Sequence, residues 1–355
     1  MTLEDLGYNT SLENYRKEQK LNSFSVGRVI SEHKERYVVK SDKGEYDSEL
    51  IGNLRFSAKS RSDFPAVGDW VAISEYDEDK ALIHAIYFRK SKIERQAVGK
   101  FGEKQIIATN IDYGLIVQAV DRDFNVNRLE RYLTICNSAN VKPLILLSKI
   151  DLIDESDLEN ILGKISERIK NVSIITISNQ TQFGYKEITA IFEKGKTYCL
   201  LGSSGVGKST LINNISGKEL MKTNSLSLSS NKGRHVTSHR ELIVLENGGI
   251  LIDNPGMREV GITDTSNGLE ITFNTIVKLS RNCRFKDCTH IHEDSCAILE
   301  AVENGEIDEA SYENYLKMER EKMFFESSVA EKRKKDKDFG KMIKNFKKDR
   351  KRNKY

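Results

Sequence analysis

The chain lacks any apolar run of about 18 residues, the length a membrane-crossing helix needs. Proline is scarce, with three residues in 355, and there are only five cysteines. The opening MTLEDLGYNTSLENYRKEQK has two early acids and no apolar core, so it does not read as a signal peptide. An odd number of cysteines in a chain of this size argues against a disulfide framework. With 31% charged and 38% hydrophobic residues, the composition is that of an ordinary soluble protein, and the expected location is cytoplasmic, with no membrane partner.

What is present is unevenly distributed. Between Glu331 and Tyr355 thirteen Lys/Arg face four Asp/Glu, a net +9, which leaves −6 for the rest of a chain whose total is +3. A basic tail on a near-neutral body suits phosphate-bearing partners; the alternative is a tail that is merely solvated.

The length predicts two or three domains. Residues 1–25 form a polar lead-in. Over 26–98 short strands at 27–30, 37–39, 68–73 and 81–86 alternate with turn-like segments at 41–44 and 75–80, which predicts an OB-type β-barrel. Residues 96–104 read as a linker. Continuous apolar runs at 113–117 and 143–147, a β-branched run at 172–177 and helical periodicity at 126–139 and 156–170 predict an α/β domain over 105–278. A Cys/His cluster and helical sequence follow over 279–330, and the basic tail over 331–355.

Chemistry enters with Gly202-Ser203-Ser204-Gly205-Val206-Gly207-Lys208-Ser209, which fits G-x-x-x-x-G-K-[ST]. A predicted strand at 196–201 precedes it and Thr210 continues into a helix, the context a phosphate loop requires. Glycines let backbone amides converge on phosphate, and the helix N-terminus adds a favourable dipole. Lys208 is placed to bridge β- and γ-phosphates and Ser209 to ligate Mg²⁺.

Ser148-Lys149-Ile150-Asp151 follows the strand at 144–147 and resembles the base-reading motif of GTPases. A carboxylate at Asp151 can accept from N1–H and the 2-amino group of guanine, and adenine offers neither donor. Ser178-Asn179, after the run at 172–177, resembles the second guanine-reading loop. Each of these segments taken alone also reads as a surface turn. Asp253-Asn254-Pro255-Gly256 ends a hairpin predicted about Asn247-Gly248-Gly249 and resembles the DxxG element, with Asp253 as a magnesium residue. Thr237 is a candidate second hydroxyl on Mg²⁺, or an ordinary loop threonine. The base-reading segments precede the phosphate loop, the reverse of the usual order, so the domain reads as circularly permuted.

Cys283-x4-Cys288-x-His290-x5-Cys296 offers three thiolates and one imidazole, a closed tetrahedral set for a structural Zn²⁺, with His292 a competing ligand. The alternative is three buried free cysteines.

A β-barrel, a permuted GTPase domain and a Cys3His module in that order resemble the RsgA (YjeQ) family of small-ribosomal-subunit maturation GTPases. The resemblance runs over about 26–300. It rests on Val67-Gly68-Asp69-Trp70-Val71, Ala108-Thr109-Asn110-Ile111-Asp112, Leu129-Glu130-Arg131-Tyr132-Leu133, Gly233-Arg234-His235, Asp253-Asn254-Pro255-Gly256 and the cysteine cluster. It implies GTP hydrolysis to GDP on the 30S subunit, contact with 16S rRNA, and a monomer carrying one Zn²⁺ and using Mg²⁺. It also implies a catalytic role for His235, since Met257 stands where many GTPases place a water-orienting glutamine. Read without the family, His235 is a loop or RNA-contacting histidine. Arg55, Lys59, Arg61, Arg89, Lys90, Lys92 and Arg95, with Phe56, Tyr87 and Phe88 among them, suit an RNA groove on the barrel, although aromatics on strands are also ordinary core. A GTP-gated RNA-binding switch with incidental hydrolysis is the alternative function. An ATP-dependent enzyme is opposed by Asp151.

Overall fold

The computed structural model describes residues 1–33, 36–96, 104–121, 124–217, 241–253 and 266–326. His235, Thr237, the segment Asn254-Pro255-Gly256 and the basic tail lie outside the described residues. No helix among the described residues is long and apolar enough to cross a membrane.

Asn9 caps the first helix, α1 (Thr10–Glu18), its side-chain oxygen accepting from the Ser11 and Leu12 amides. Leu6 and Leu12 are buried with Val26, Trp70 and Tyr87, so the lead-in packs on the barrel that follows. That barrel consists of β1 (Ser25–His33), β2 (Arg36–Lys40), β3 (Glu45–Leu50), the short helix α2 (Gly52–Ser57), β4 (Trp70–Asp77) and β5 (Lys80–Ile86). The strands bond in the order β1-β2-β3-β5-β4, and β4 returns to β1 to close it. Only β3 and β5 run parallel within it, the OB-type arrangement. Val29, Tyr37, Val39, Tyr46, Leu50, Val71, Ile73 and Ile83 fill the interior.

Strand β3 has no counterpart in the sequence expectation. Its residues EYDSEL alternate out and in, but only Tyr46 and Leu50 of the inward set are apolar, and Ser48 sits between them. The turn expected over 75–80 is tighter than its composition suggests: β4 runs through Asp77 and β5 restarts at Lys80. Strands β6 (Lys92–Gln96) and β7 (Lys104–Thr109) pair antiparallel, Gln96 opposite Lys104, so paired strands bracket the stretch read as a linker.

The α/β domain comprises β8 (Tyr113–Ala119), α3 (Val126–Ser138), β9 (Lys142–Ser148), α4 (Glu155–Arg168), β10 (Ile174–Thr176), α5 (Tyr185–Ala190), β11 (Thr197–Leu201), α6 (Lys208–Ser216), β12 (Glu241–Val244) and β13 (Ile250–Asp253). The order is β10-β9-β8-β11-β13-β12, parallel except for β12. Strands buried on both faces need apolar residues at consecutive positions, which is why their sequence runs rather than alternates. One face packs Ile116, Ile145 and Ile252 against Leu129 and Leu133 of α3 and Ile165 of α4. The other packs Leu115, Leu146 and Leu251 against Ile188 of α5 and Leu211 and Ile212 of α6.

Strand β12 does more than close the hairpin. Glu241 is paired with Asp253 of β13 on one side and with Ser31 of β1 on the other. The barrel and the nucleotide-domain sheet are therefore one hydrogen-bonded sheet of eleven strands. Helices α7 (Ser266–Thr272), α8 (Asn274–Ser280), α9 (Ala297–Glu303) and α10 (Glu309–Glu326) complete the chain described, around Leu269, Phe273, Ile276, Ile298, Tyr315 and Met318.

Two buried charges join the central domain to its neighbours. Arg28 of β1, 1% exposed, donates to the carbonyls of Leu6, Gly68 and Asn110 and to the Thr197 hydroxyl at 2.6–3.4 Å, and lies over the Trp70 ring. Burial lowers its pKa to about 10, so it is a cation at neutral pH. On the other side Glu130 of α3, 2% exposed, accepts from Arg168 at 2.6 Å, Asn314 at 2.6 Å and Ser311 at 2.9 Å. Burial raises the Glu130 carboxyl, and Arg168 opposes that shift.

Candidate nucleotide site and metal centre

The phosphate loop leaves the carboxyl end of β11, between its parallel neighbours β8 and β13, where ligands of such sheets bind. Its shape requires glycine at two positions. Gly202 has φ +149°, and a Cβ there would lie 2.3 Å from the Val117 carbonyl oxygen. Gly207 has φ +95°, and a Cβ would lie 2.5 Å from Asn179 Nδ2. Val206 is buried and anchors the loop, while Ser204 and Gly205 stay exposed. Lys208 opens α6 and curls over the loop, its Nζ donating to the carbonyls of Gly202 at 2.8 Å and Ser203 at 2.6 Å. Ser209 and Thr210 follow in the first turn, half-buried.

The base-reading segments meet this loop through side-chain bonds. Ser148 is fully buried at the end of β9, and its hydroxyl donates to the Val206 carbonyl at 2.7 Å. Serine thus has the reach to tie the two loops together, and it faces the protein rather than open solvent. Lys149 takes a left-handed φ of +64°, and its ammonium lies 2.9 Å from Asp121. Ile150 begins a short 3-10 turn, and Asp151 on it is exposed. The Ser178 hydroxyl donates to Asp151 Oδ1 at 2.5 Å and accepts from the Gln180 and Thr181 amides. Asn179 donates to the Gly207 carbonyl at 2.9 Å and accepts from the Tyr185 hydroxyl at 2.9 Å. An exposed carboxylate is therefore held beside a glycine loop by three strand ends remote in sequence. Asp253, at the end of β13 and 3% exposed, stands on the other side of the phosphate loop's strand.

Three residues that the sequence motifs do not assign contribute here. Asp121 positions Lys149. Asn214 of α6 donates to the Tyr185 hydroxyl at 2.8 Å. Arg28 reaches Thr197, the first residue of the strand that leads into the loop. The one signal available was a lone charge inside an otherwise apolar strand at Arg28.

The Cys/His cluster closes on itself. Ligand atoms of Cys283, Cys288, His290 and Cys296 all lie within 4.8 Å of one another. Cys283 Sγ is 3.6 Å from His290 Nδ1 and 3.9 Å from Cys296 Sγ, and Cys296 Sγ is 3.5 Å from His290 Nδ1. A tetrahedral ion bonded at about 2.3 Å to sulfur and about 2.1 Å to nitrogen needs S···S edges of about 3.8 Å and S···N edges of about 3.5 Å. The separations fit. Desolvation and the neighbouring sulfurs push the Cys288 thiol up to about 12, and a cation among the ligands would favour its thiolate. Burial lowers the pKa of His290 and keeps its imidazole neutral, the form that ligates. His292 is exposed and outside the group.

On the barrel, the cations divide. Arg89 is spent on structure, donating to Asp69, Ser62 and Phe64. Lys90 pairs with Asp112, Lys92 with Glu94, and Arg95 bonds Gln105. Tyr87 is core, whereas Phe56 on α2 is 90% exposed beside exposed Arg55, Lys59 and Arg61.

Sequence and structure comparisons agree with this geometry. The sequence model of the RsgA GTPase family matches residues 86–263. A second model, ABC transporter, matches 185–349, a span that includes the phosphate loop common to both kinds of protein. The chain is 38% identical to Small ribosomal subunit biogenesis GTPase RsgA 1 of Bacteroides thetaiotaomicron over 96% of each chain. It is 40% identical to RsgA 2 of Listeria monocytogenes over 90% of this chain and 89% of that one. The crystal structure of YjeQ from Thermotoga maritima superposes with a TM-score of 0.61 at 26% identity, covering 83% of this chain and 96% of that one. YloQ, described as a circularly permuted GTPase, gives 0.60 at 24% identity, covering 86% of this chain and 97% of that one, a likeness of fold.

Proposed function

Since the chain belongs to the RsgA family of GTPases, we propose that it hydrolyses GTP to GDP and phosphate on the small ribosomal subunit, in that subunit's late maturation. The observation that carries this reading is the pair of bonds tying the base-reading segments to the phosphate loop, Ser148 to Val206 and Asn179 to Gly207. They fix Asp151 relative to Lys208 before nucleotide arrives, so binding energy is not consumed in assembling the site.

In the proposed site Asp151, held by Ser178, accepts from guanine N1–H and the 2-amino group. The Lys149 stem covers the base, and Ile150, Ser178 and Asn179 complete its surroundings. The amides from Gly202 to Thr210 receive the phosphates, and the Lys208 ammonium leaves its two loop carbonyls for phosphate oxygens. Ser209, Thr237 and Asp253 would hold Mg²⁺, which neutralises charge on the phosphates. His235 is assigned the positioning of the attacking water. Cys283, Cys288, His290 and Cys296 would hold one structural Zn²⁺, which cross-links the loop 283–296 and leaves no open coordination position. A cytoplasmic monomer that contacts 16S rRNA through the barrel's Arg55–Arg61 segment and the basic tail completes the proposal.

Phosphate release by the purified protein, with and without small ribosomal subunits, tests it. Stimulation of a slow intrinsic rate is expected, and its absence would overturn the ribosomal role. Lys208→Ala should abolish GTP binding. His235→Ala should retain binding and lose turnover.

A further inference from the structure

Helices α3 and α10 lie side by side and leave a groove of about 1030 Å³. Arg128, Lys317 and Arg320 line it, together with Phe324 and Phe325, whose rings meet edge to face at 5.7 Å. Phe324 is 48% exposed and the adjacent Met323 57%, an apolar surface open to solvent among the described residues. Two carboxylates also line the groove, and one of them, Glu321, is held in both oxygens by Arg131. Tyr132 of α3 lines the same groove.

Exposed rings beside cations suit a nucleic-acid strand, whose bases stack on aromatic faces and whose phosphates meet Lys and Arg. The chain's own continuation does not suit the groove, because residues 331–355 carry a net +9 and would be repelled by it. We propose that the α3–α10 groove binds a single-stranded stretch of RNA, with a base on Phe324 and phosphates on Arg128, Lys317 and Arg320. The inference rests on the ribosomal reading above and adds to it a second RNA site, distinct from the barrel.

The test titrates the full-length protein with a short fluorescent single-stranded RNA, with circular dichroism and zinc content as checks that each variant folds. Phe324→Ala should weaken binding about tenfold, the loss of one stacked base. In Lys317→Ala/Arg320→Ala the log–log salt slope should fall by about 1.4, two phosphate contacts on a single strand. Unchanged affinity and salt slope in the groove variants, or crosslinks from the groove to a ribosomal protein and not to RNA, would overturn the site. If small subunits fail to stimulate the wild type, the ribosomal reading fails, while the RNA titration still judges the groove.

Discussion

The central domain is attached to its two neighbours by different means. Towards the barrel the joint is backbone: a strand pair, Ser31 with Glu241, and a buried arginine whose partners are three carbonyls and one hydroxyl. Towards the C-terminal helices most of the joint's hydrogen bonds run side chain to side chain, Glu130 with Ser311 and Asn314 and Arg131 with Glu321, although Asn314 also donates to the Asn127 carbonyl. Carbonyls cannot change identity by substitution or leave by rotating, so the first joint specifies one fixed arrangement. Side-chain partners can separate singly, so those bonds can break one at a time, while Gly268 of α7 stays packed close on Thr134 and Ser138 of α3.

The largest expected effect would separate the C-terminal module from the rest. Stripping the proposed zinc removes binding energy that is folding energy, about 10 kcal/mol or more for such sites. Hydrogen exchange after chelation should show residues 283–326 deprotected and the barrel unchanged. Equal deprotection of both would mean the joints are not independent. Next in size is Arg28→Ala, which strands buried carbonyls and the Thr197 hydroxyl. It should cost about 3–5 kcal/mol, the usual loss on removing one partner of a buried polar set, read as a shift in the urea midpoint of a cooperative transition. Glu130→Gln keeps the shape and some bonds but leaves Arg168 without its buried counter-charge, although Asp308 stands 3.4 Å away. A loss of about 1–3 kcal/mol is expected, confined to faster proteolysis at α10. A global destabilisation as large as that of Arg28→Ala would erase the contrast. Smallest is Ser178→Ala, inside the site and outside both joints. It should weaken GTP binding about tenfold, equivalent to about 1.4 kcal/mol, with a local loss of stability from the two amides it leaves unpaired and neither joint disturbed.

The regions of this protein that could be read from its sequence are those with a strong local signature. The phosphate loop announces itself because only glycine tolerates the conformations at Gly202 and Gly207. The candidate metal centre does so because four residues able to ligate an ion fall within 283–296. Parallel strands betray themselves by continuous apolar runs. Strand β3 does not, because Ser48 takes an inward position and the barrel is small enough to accept it. Arg89 reads as a nucleic-acid contact in the sequence, since nothing local reveals that Asp69 and two carbonyls bind it. Arg28 and Glu130 are opaque for the same reason: the partners of Arg28 lie 22 to 169 residues away, and those of Glu130 include residues more than 180 positions distant. Both are charges whose burial is decided by other domains.

Ser31, Glu241 and Asp253 stand in one row across three adjacent strands. Strands in a sheet are spaced by about 4.8 Å, so that row spans only about 10 Å from the barrel to the carboxylate beside the phosphate loop. Among the described strand pairs it is the one crossing from the barrel strands to the nucleotide-domain strands, and it shares any load on β1 with Arg28 of the same strand, which reaches Asn110 and Thr197. Pulled across the strands, hydrogen bonds break in succession at low force. Load on β1 therefore divides between a strand pair that opens easily and a buried guanidinium that cannot let go without stranding carbonyls.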